Sequence, residues 1–216
     1  MYAALALVLI VLSIAFTGVE FKTPIEPLNK GEKLLEKKHF TEAILFFEDL
    51  LAKDPSAKAQ VSGPYSMALR KQAAKLIEKN EPEKAKLLLL KSEGTNPDDA
   101  MGHYMLGRIY ADEKDYQNAI LSYKNAIELD SNMARAYFNL GYIYYVVKKD
   151  YIRAQEMYEH TVRISPDFLD DALYMLEIKQ KKLGKDQESI KNLERALNIN
   201  PDNKQAKTSL DRLKKL

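Results

Sequence analysis

Three histidines are the side chains in this sequence best suited to bind a metal or to move a proton near neutral pH. His39, His103 and His160 lie far apart, and none has a second histidine four residues away on the same helical face. Histidine metal sites use such pairs or add cysteine, and the chain contains no cysteine. We therefore expect no metal site and no cofactor, and we assign the histidines structural or surface roles.

Two glycines, Gly102 and Gly107, have the spacing of a phosphate-binding loop. That loop continues with Lys and then Ser or Thr, whereas Arg108 and Ile109 follow here. The two glycines also lie within a predicted helix, which offers no loop to surround a phosphate. The sequence therefore predicts no nucleotide site at this position.

Two pairs of adjacent carboxylates could share acid and base roles in catalysis. They are Asp98–Asp99 and Asp170–Asp171, and each pair follows a proline and precedes a predicted helix. A carboxylate at such a place caps the helix and interacts favourably with its dipole. We interpret both pairs as capping residues, and because no other catalytic grouping remains, we predict that the protein is not an enzyme.

The composition indicates a globular protein with balanced charge. Of 216 residues, 46% are hydrophobic and 30% are charged, and the chain contains only 8 Gly and 8 Pro. These values exclude collagen, low-complexity disorder and a polytopic membrane protein. The 33 Lys and Arg residues against 31 Asp and Glu residues leave a net charge of +2. This charge predicts no nucleic-acid partner, and no sequence feature predicts a small-molecule substrate.

The N-terminus differs from the rest of the chain. Residues 2–19 carry no charged side chain over a length that just spans a bilayer. No basic residue precedes this run and a good cleavage site is missing, so we favour a transmembrane anchor at 1–19 over a signal sequence. A buried helix of the globular body is a further alternative, although it would normally show a polar stripe. Residues 20–29, with Pro24 and Pro27, are predicted to form a linker that overlaps the start of the folded domain.

The side of the membrane is only weakly indicated. Lys22, Lys30 and Lys33 follow the apolar run, and by the positive-inside rule they would keep the body in the cytoplasm. Long domains, however, are translocated largely regardless of charge. We slightly favour an extracytoplasmic, periplasmic body, because that is the common single-anchor architecture.

Beyond the linker, the sequence repeats with a period of 34 residues. A Leu-Gly-x-x-Tyr pattern at 106–110 recurs at 140–144. The small residue Ala119 and the aromatic residue Tyr123 follow the first glycine within the same period. The second copy has Ala154 and Tyr158 after a one-residue slip near Lys148. A fixed period of this length predicts a stack of similar structural units.

These residues resemble the tetratricopeptide repeat, a helix-turn-helix unit with small residues at the helix contacts and a proline near its end. The resemblance implies an all-α solenoid of about five repeats after one N-terminal transmembrane helix. Within a repeat domain at 24–203, the units are expected at 24–57, 66–99, 100–133, 134–168 and 170–203, with a capping helix at 204–216. The first two units depart from the period, because Ala43 and Ala85 are separated by more than one period.

Tyrosine is concentrated in the middle of the array, where 11 of the 13 tyrosines lie between Tyr104 and Tyr174. The family pattern accounts for seven of them. By the family's register, the other four lie on the first helices of the units and face the concave surface. The predicted groove for a protein or peptide consists of Tyr104, Arg108, Phe138, Asn139, Tyr142, Tyr145, Tyr174 and Ile178. The alternative is that these rings pack against neighbouring units.

One known ligand of the family is not expected here. Members that bind chaperone tails use a clamp of Lys, Asn and Arg side chains, and Asn139 is the only match in this sequence. We therefore expect an aromatic slot for an extended segment or an amphipathic helix, with Asn139 bound to a ligand main-chain amide.

The function predicted from the sequence is a non-catalytic, membrane-tethered adaptor that binds a protein or peptide in its concave groove. Such an adaptor would assemble or localise a complex at a membrane. The alternative is a permanent structural subunit of a large cell-envelope assembly.

Overall fold

The computed structural model describes residues 26–165, 186–199 and 201–214, and every regular element in these ranges is helical. The elements are α1 (Glu26–Glu36), α2 (Phe40–Lys53), a 3₁₀ turn (Pro55–Ala57), α3 (Lys58–Glu78), α4 (Pro82–Thr95), α5 (Ala100–Asp112), α6 (Tyr116–Leu129), α7 (Ala134–Tyr142), a π-helical turn (Ile143–Val147), α8 (Tyr151–Ile164), α9 (Asp186–Ile199) and α10 (Lys204–Leu213).

The predicted anchor at 1–19 lies outside the described residues. Among the residues that are described, no helix combines the length and the apolar character needed to cross a bilayer. Of the predicted linker, residues 26–29 form the beginning of α1. Pro27 is compatible with that helix because it lies in the first turn, where a proline removes no helical hydrogen bond.

The chain divides into two compact units, Met1–Pro64 and Tyr65–Leu216. In the first unit, α1 packs against α2. Gly31 makes this close approach possible, because a Cβ atom at that position would lie 2.4 Å from the Phe47 ring. Phe40, Ala43 and Phe47 are buried along the same side of α2.

In the second unit, helices pair and the pairs stack. Helix α5 packs against α6, α7 against α8 and α9 against α10, while α4 contacts α5 and α6 contacts α7. We call α3, α5 and α7 the first helices and α4, α6 and α8 the second helices of successive pairs. One cluster of buried residues extends along the second unit from Ala73 to Leu213. The prediction of an all-α helix-turn-helix array is therefore confirmed.

Glycines allow close contact within the α5–α6 and α7–α8 pairs. A Cβ atom at Gly107 would lie 2.7 Å from the Tyr123 ring, and one at Gly141 would lie 2.9 Å from the Tyr158 ring. Both tyrosines are buried to 1% exposure. These contacts give a physical reason for the repeated spacing of glycine and tyrosine in the sequence, since a larger residue at the glycine would displace a rigid ring.

Each turn from a first to a second helix contains one residue with left-handed backbone dihedral angles. The turn between α1 and α2 contains such a residue as well. These residues are Lys38, Asn80, Lys114 and Lys149, with φ between 55° and 62°. In the α5–α6 turn, the N–H of Asp115 then donates to the carbonyl of Tyr110, five residues earlier, at 2.8 Å. The turns that end α1 and α3 make the same bond, so one turn conformation recurs along the chain.

The turn after α7 contains one extra residue. The N–H of Asp150 donates to the carbonyl of Tyr144, six residues earlier, at 2.9 Å. The added residue is accommodated in the π-helical turn, where the N–H of Lys148 donates to the carbonyl of Ile143 at 3.1 Å. The one-residue slip in the sequence pattern is therefore a π-turn at the end of a first helix.

A partly buried polar network joins α3 to the start of α5. The Arg70 Nε atom lies 2.7 Å from Oδ2 of Asp99, and both side chains are less than one-fifth exposed. The same Asp99 caps α5 by accepting a hydrogen bond from the N–H of Gly102 at 3.1 Å. The prediction that Asp99 is a capping residue is confirmed, whereas Asp170 and Asp171 lie outside the described residues.

Candidate binding groove

A cavity of about 240 Å³ opens between α5, α6 and α7. It contains three of the predicted groove residues, Arg108, Asn139 and Tyr142, and we call it the groove cavity. Its lining residues are Arg108, Ala111, Asp112, Tyr116, Tyr123, Asn139, Tyr142 and Ile143.

The helical register brings these side chains together. Arg108 and Asp112 are four residues apart on α5, so they share one face of that helix. Tyr142 follows Arg108 by one 34-residue period and therefore occupies the equivalent place on α7. Both Arg108 and Tyr142 are exposed, and Tyr142 retains 46% of its surface.

The cavity contains charges of both signs. Arg108, Asp112 and Tyr142 make no side-chain hydrogen bond or ion pair with another described residue. Their polar groups are consequently available for a ligand. Ala111 and Ile143 add apolar surface beside them.

Asn139 and Tyr123 lie together in the wall of the cavity, Asn139 on α7 and Tyr123 on α6. Burial raises the pKa of the Tyr123 phenol well above its ordinary value. The phenol is therefore neutral at physiological pH.

Three of the predicted groove rings pack within the array. Tyr104 is only 8% exposed, and its ring centroid lies 6.1 Å from that of Tyr123. Phe138 and Tyr145 are half-buried; their centroids lie 5.7 Å from Tyr158 and 5.4 Å from Tyr151, respectively. These three rings offer a partner less surface than Tyr142 does.

The other two predicted groove residues, Tyr174 and Ile178, lie outside the described residues. The groove cavity is also lined by Asp112, Tyr116 and Tyr123, which are not among the groove residues predicted from the sequence. Asp112 could have been found from its spacing of one helical turn after Arg108. The repeat pattern of the family includes Tyr116 and Tyr123 among its packing residues, so their positions alone do not indicate a site.

A second cavity, of about 500 Å³, lies between α6, α7 and α8 and contains none of the predicted groove residues. Tyr137, Leu140 and Tyr144 are buried residues in its lining. The Arg153 guanidinium lies 5.6 Å from the centre of the Tyr144 ring. Lys124, Glu128 and Glu156 add charges of both signs.

The three histidines have local partners. His103 is buried, with Nε2 at 2.8 Å from the Pro97 carbonyl, and His160 stacks on Tyr137 at 4.8 Å. His39 Nδ1 lies 3.2 Å from a Glu42 carboxylate oxygen at the start of α2. Within 26–165, 186–199 and 201–214, no group of three or more His, Cys, Asp or Glu side chains could bind a metal ion.

Family profiles match most of the second unit. A profile described as TPR repeat covers 107–146, and one described as tetratricopeptide repeat covers 134–168 and 180–203. Over these residues the chain consists of tetratricopeptide repeats. The match confirms the resemblance found in the sequence and indicates a protein-interaction scaffold.

Solved structures of the same fold support this assignment. MamA is 27% identical, with a TM-score of 0.58 over 78% of this chain and 93% of that chain. YrrB, described as a TPR protein with an unusual peptide-binding site, is 20% identical, with a TM-score of 0.61 over 95% of this chain and 97% of that chain. At this level of identity, the similarity to YrrB establishes the fold alone.

One curated relative is much longer than this chain. The human protein O-mannosyl-transferase TMTC3 is 29% identical over 206 residues. The matched region is 92% of this chain and 19% of that protein. The chain thus spans about a fifth of the length of this relative.

Proposed function

We propose that this tetratricopeptide-repeat protein is a non-catalytic adaptor that binds an extended polypeptide segment at the groove cavity. The observation that carries the proposal is the convergence of unpaired polar groups on that cavity. Arg108 donates hydrogen bonds, Asp112 accepts them, and the Asn139 amide can do both. A polypeptide main chain alternates N–H donors and carbonyl acceptors, so it matches this set.

The size of the cavity also favours a peptide. Small-molecule sites usually enclose roughly 300–1,000 Å³, whereas the groove cavity measures about 240 Å³. That volume suits one or two peptide side chains, with the remainder of the segment lying along the first helices. The half-exposed ring of Tyr142 supplies an apolar contact with few rotatable bonds.

Peptide binding at the groove cavity can be tested with a displayed peptide library selected against the purified chain. Affinities of the selected peptides are then measured by fluorescence anisotropy. Asn139→Ala and Tyr142→Ala should each weaken binding about tenfold or more, because they remove a main-chain hydrogen-bonding group and an aromatic contact. Ile152→Ala is the matched control, since Ile152 is a large apolar residue on α8 that is 69% exposed and outside the cavity. Selected peptides that respond to neither groove variant would contradict the proposal.

We further propose that residues 2–19 anchor the adaptor in a membrane, with the repeat domain on the extracytoplasmic side. The support is the uncharged apolar run in the sequence. The full chain should remain in the membrane pellet after carbonate extraction, whereas a chain beginning at residue 20 should be released. Release of both chains would contradict the anchor.

The side of the membrane can be tested with a single cysteine, because the native chain has none. A cysteine replacing the exposed Ser131 should react in intact cells with a maleimide that cannot cross membranes. Labelling only after cell lysis would place the repeat domain in the cytoplasm.

One observation favours the alternative of a permanent structural subunit. Leu87 and Leu121 are 68% and 57% exposed, and they occupy equivalent positions one repeat period apart on the second helices α4 and α6. Apolar side chains repeated in this way can pack against another protein. If the subunit function is correct, Leu87→Glu with Leu121→Glu should dissociate the native complex during sedimentation, while the groove variants should leave it intact.

A further inference from the structure

Two polar contacts bridge the joint between α4 and α5. Lys86 of α4 pairs with Glu113, directly after α5, and its Nζ atom lies 4.7 Å from the centre of the Tyr110 ring. His103 of α5 is buried, and its Nδ1 atom lies 3.5 Å from a carboxylate oxygen of Glu93 on α4. Polar groups from a second helix and from the next first helix therefore meet at this joint.

The next joint, between α6 and α7, cannot make the same contacts. One 34-residue period after Lys86, Glu93, His103 and Glu113, the chain has Ile120, Ile127, Tyr137 and Val147, respectively. Three of these four replacements are purely apolar, so neither bridge has a counterpart. The second cavity, of about 500 Å³, opens beside two of the replacements, Ile127 and Tyr137.

The lining of the second cavity is mainly apolar and comes from three helices. Ile127 of α6 and Met157 of α8 are half-buried, and Leu140 of α7 is buried between them in the lining. Small-molecule sites enclose roughly 300–1,000 Å³ and combine hydrophobic and aromatic walls with a few polar groups. The second cavity has both properties, so it fits the apolar body of a small molecule.

The charged groups at the second cavity leave an excess of carboxylate. Lys124 and Glu128 of α6 and Arg153 and Glu156 of α8 supply these charges. The Arg153 guanidinium is already engaged, because its Nε atom lies 3.4 Å from Oδ2 of Asp150. Lys124, Glu128 and Glu156 make no side-chain hydrogen bond or ion pair with another residue in the described part of the chain. Two carboxylates against one ammonium group leave a negative balance, which attracts a cation.

We propose that the second cavity binds a small amphipathic cation, which is a molecule with a compact, ring-bearing apolar body and one ammonium group. The apolar body replaces water beside Ile127, Leu140 and Met157. The ammonium group interacts with the carboxylates of Glu128 and Glu156. This inference goes beyond the proposed function, because the second cavity shares no lining residue with the groove cavity.

The test uses three probes with the same ring system and different charge. They are 2-naphthylmethylamine, which is a cation at neutral pH, the uncharged 2-naphthylmethanol, and the anion 2-naphthylacetate. Each is titrated into the full chain while a ¹⁵N correlation spectrum is recorded, and the affinity is taken from the shifts of the Leu140 and Met157 backbone signals. We expect the amine to bind about fivefold more tightly than the acetate, with the alcohol between them.

Two outcomes of this titration would overturn the inference. Equal affinities, or tighter binding of the acetate, would show that the carboxylates do not select the ligand. If none of the three probes shifts the Leu140 and Met157 signals, the cavity is not a site for molecules of this class.

Charge-neutral variants test the two carboxylates directly. Glu128→Gln and Glu156→Gln should each weaken binding of the amine about threefold and leave binding of the alcohol unchanged, because each removes one charge at a solvent-accessible site. Glu159→Gln is the matched control, since Glu159 is an exposed carboxylate on α8 outside the cavity. Equal weakening by all three variants would mean that general surface charge attracts the amine, and the assigned site would be wrong.

A larger side chain in the lining tests the location of the apolar body. Ile127→Phe should reduce the affinity for all three probes about fivefold or more, because the added ring occupies the space that a ligand needs. Leu121→Phe is the matched control, since Leu121 lies on the same helix, is 57% exposed and is not part of the lining. Unchanged affinities in a folded Ile127→Phe chain would contradict the site, and the glutamine variants decide the question if that chain does not fold.

Discussion

Gly107 and Gly141 determine how closely the two helices of their pairs approach. A Cβ atom at either position would meet a tyrosine ring at less than 3.0 Å, and real Cβ atoms essentially never lie that close to another heavy atom. Both rings are buried, so neither can move aside without displacing its own neighbours. The absence of a side chain at these two positions is therefore a packing requirement.

We expect Gly107→Ala to lower the free energy of unfolding by about 1–3 kcal/mol, which is the usual range for overpacking a core. Gly94→Ala is the matched control. No atom lies within 4 Å of a Cβ at Gly94, and alanine should stabilise the helix there by up to about 1 kcal/mol. Urea denaturation measures both changes, and equal effects of the two variants would contradict this account of packing.

Asp115 gives the stability a defined pH dependence. Hydrogen bonds from the side chain and backbone N–H of Asn118 hold the pKa of the Asp115 carboxyl below its ordinary value. A lowered folded-state pKa means that the stabilisation is present above the unfolded pKa of about 3.9 and is lost as the pH falls through the folded value.

The stability difference between the wild-type chain and Asp115→Asn should accordingly shrink on acidification. We expect the wild type to be more stable at pH 6, with the gap closing below about pH 4, because Asn caps the helix without titrating. Urea midpoints at pH 6 and pH 3 measure the gap. A gap of constant size would show that the carboxylate charge contributes nothing.

Contacts between single residues could be predicted from the sequence where both residues lie in the same helix pair. Gly107 and Tyr123 belong to the same repeat, and the repeat pattern predicted their contact. The burial of Tyr104 depends on a neighbouring helix, since its ring packs near that of Tyr123 on α6. The register alone predicts that Tyr104 faces the concave surface, and it does not show how much of the ring the neighbouring helices cover.

The π-helical turn at Ile143–Val147 is the main irregularity among the described helices. It absorbs one extra residue at the end of α7, so that Asp150 still caps α8 by accepting from the N–H of Arg153 at 3.1 Å. The sequence slip located this insertion to within a few residues. It could not show whether a helix or a loop contained the extra residue, because both would keep the α8 pattern intact.

Deletion of Lys148 should convert this turn into the form found after α5. We expect the variant to fold, with its free energy of unfolding within about 1 kcal/mol of the wild type, because the deleted residue is an exposed insertion. Deletion of Glu113 is the matched control. It shortens a turn that already has the regular length and should cost several kcal/mol, because it rotates α6 relative to α5. Thermal unfolding measures both variants, and similar losses would argue against the insertion model.

In the second unit, the joint between α3 and α5 depends on Asp99, which both caps a helix and pairs with Arg70. Ser66 and Ser92 add a buried hydrogen bond of 2.8 Å between α3 and α4 at the same place. The sequence predicted the capping role of Asp99 from its neighbours in the chain. The ion pair could not be predicted, because Arg70 belongs to another pair and lies far from Asp99 along the chain.

Asp99→Ala should therefore lower the free energy of unfolding by about 3–5 kcal/mol, since it leaves Arg70 partly buried without its partner and removes a helix cap. Asp49→Ala is the control, because the exposed Asp49–Lys53 pair should contribute less than about 1 kcal/mol. Hydrogen exchange should show α3 and α4 opening before α7 and α8 in Asp99→Ala. Uniform loss of protection would contradict a local joint.

The recurrent turn with its left-handed residue has a consequence for how such a chain can change length. Its hydrogen bonds span at most six residues, so each turn contains within itself everything that determines its conformation. A gene duplication that copied residues 100–133 would therefore insert a complete helical pair without requiring any other turn to adjust. Evolution could lengthen or shorten this array in steps of one pair, and each added pair would bring a further copy of the surface from which the groove cavity is built.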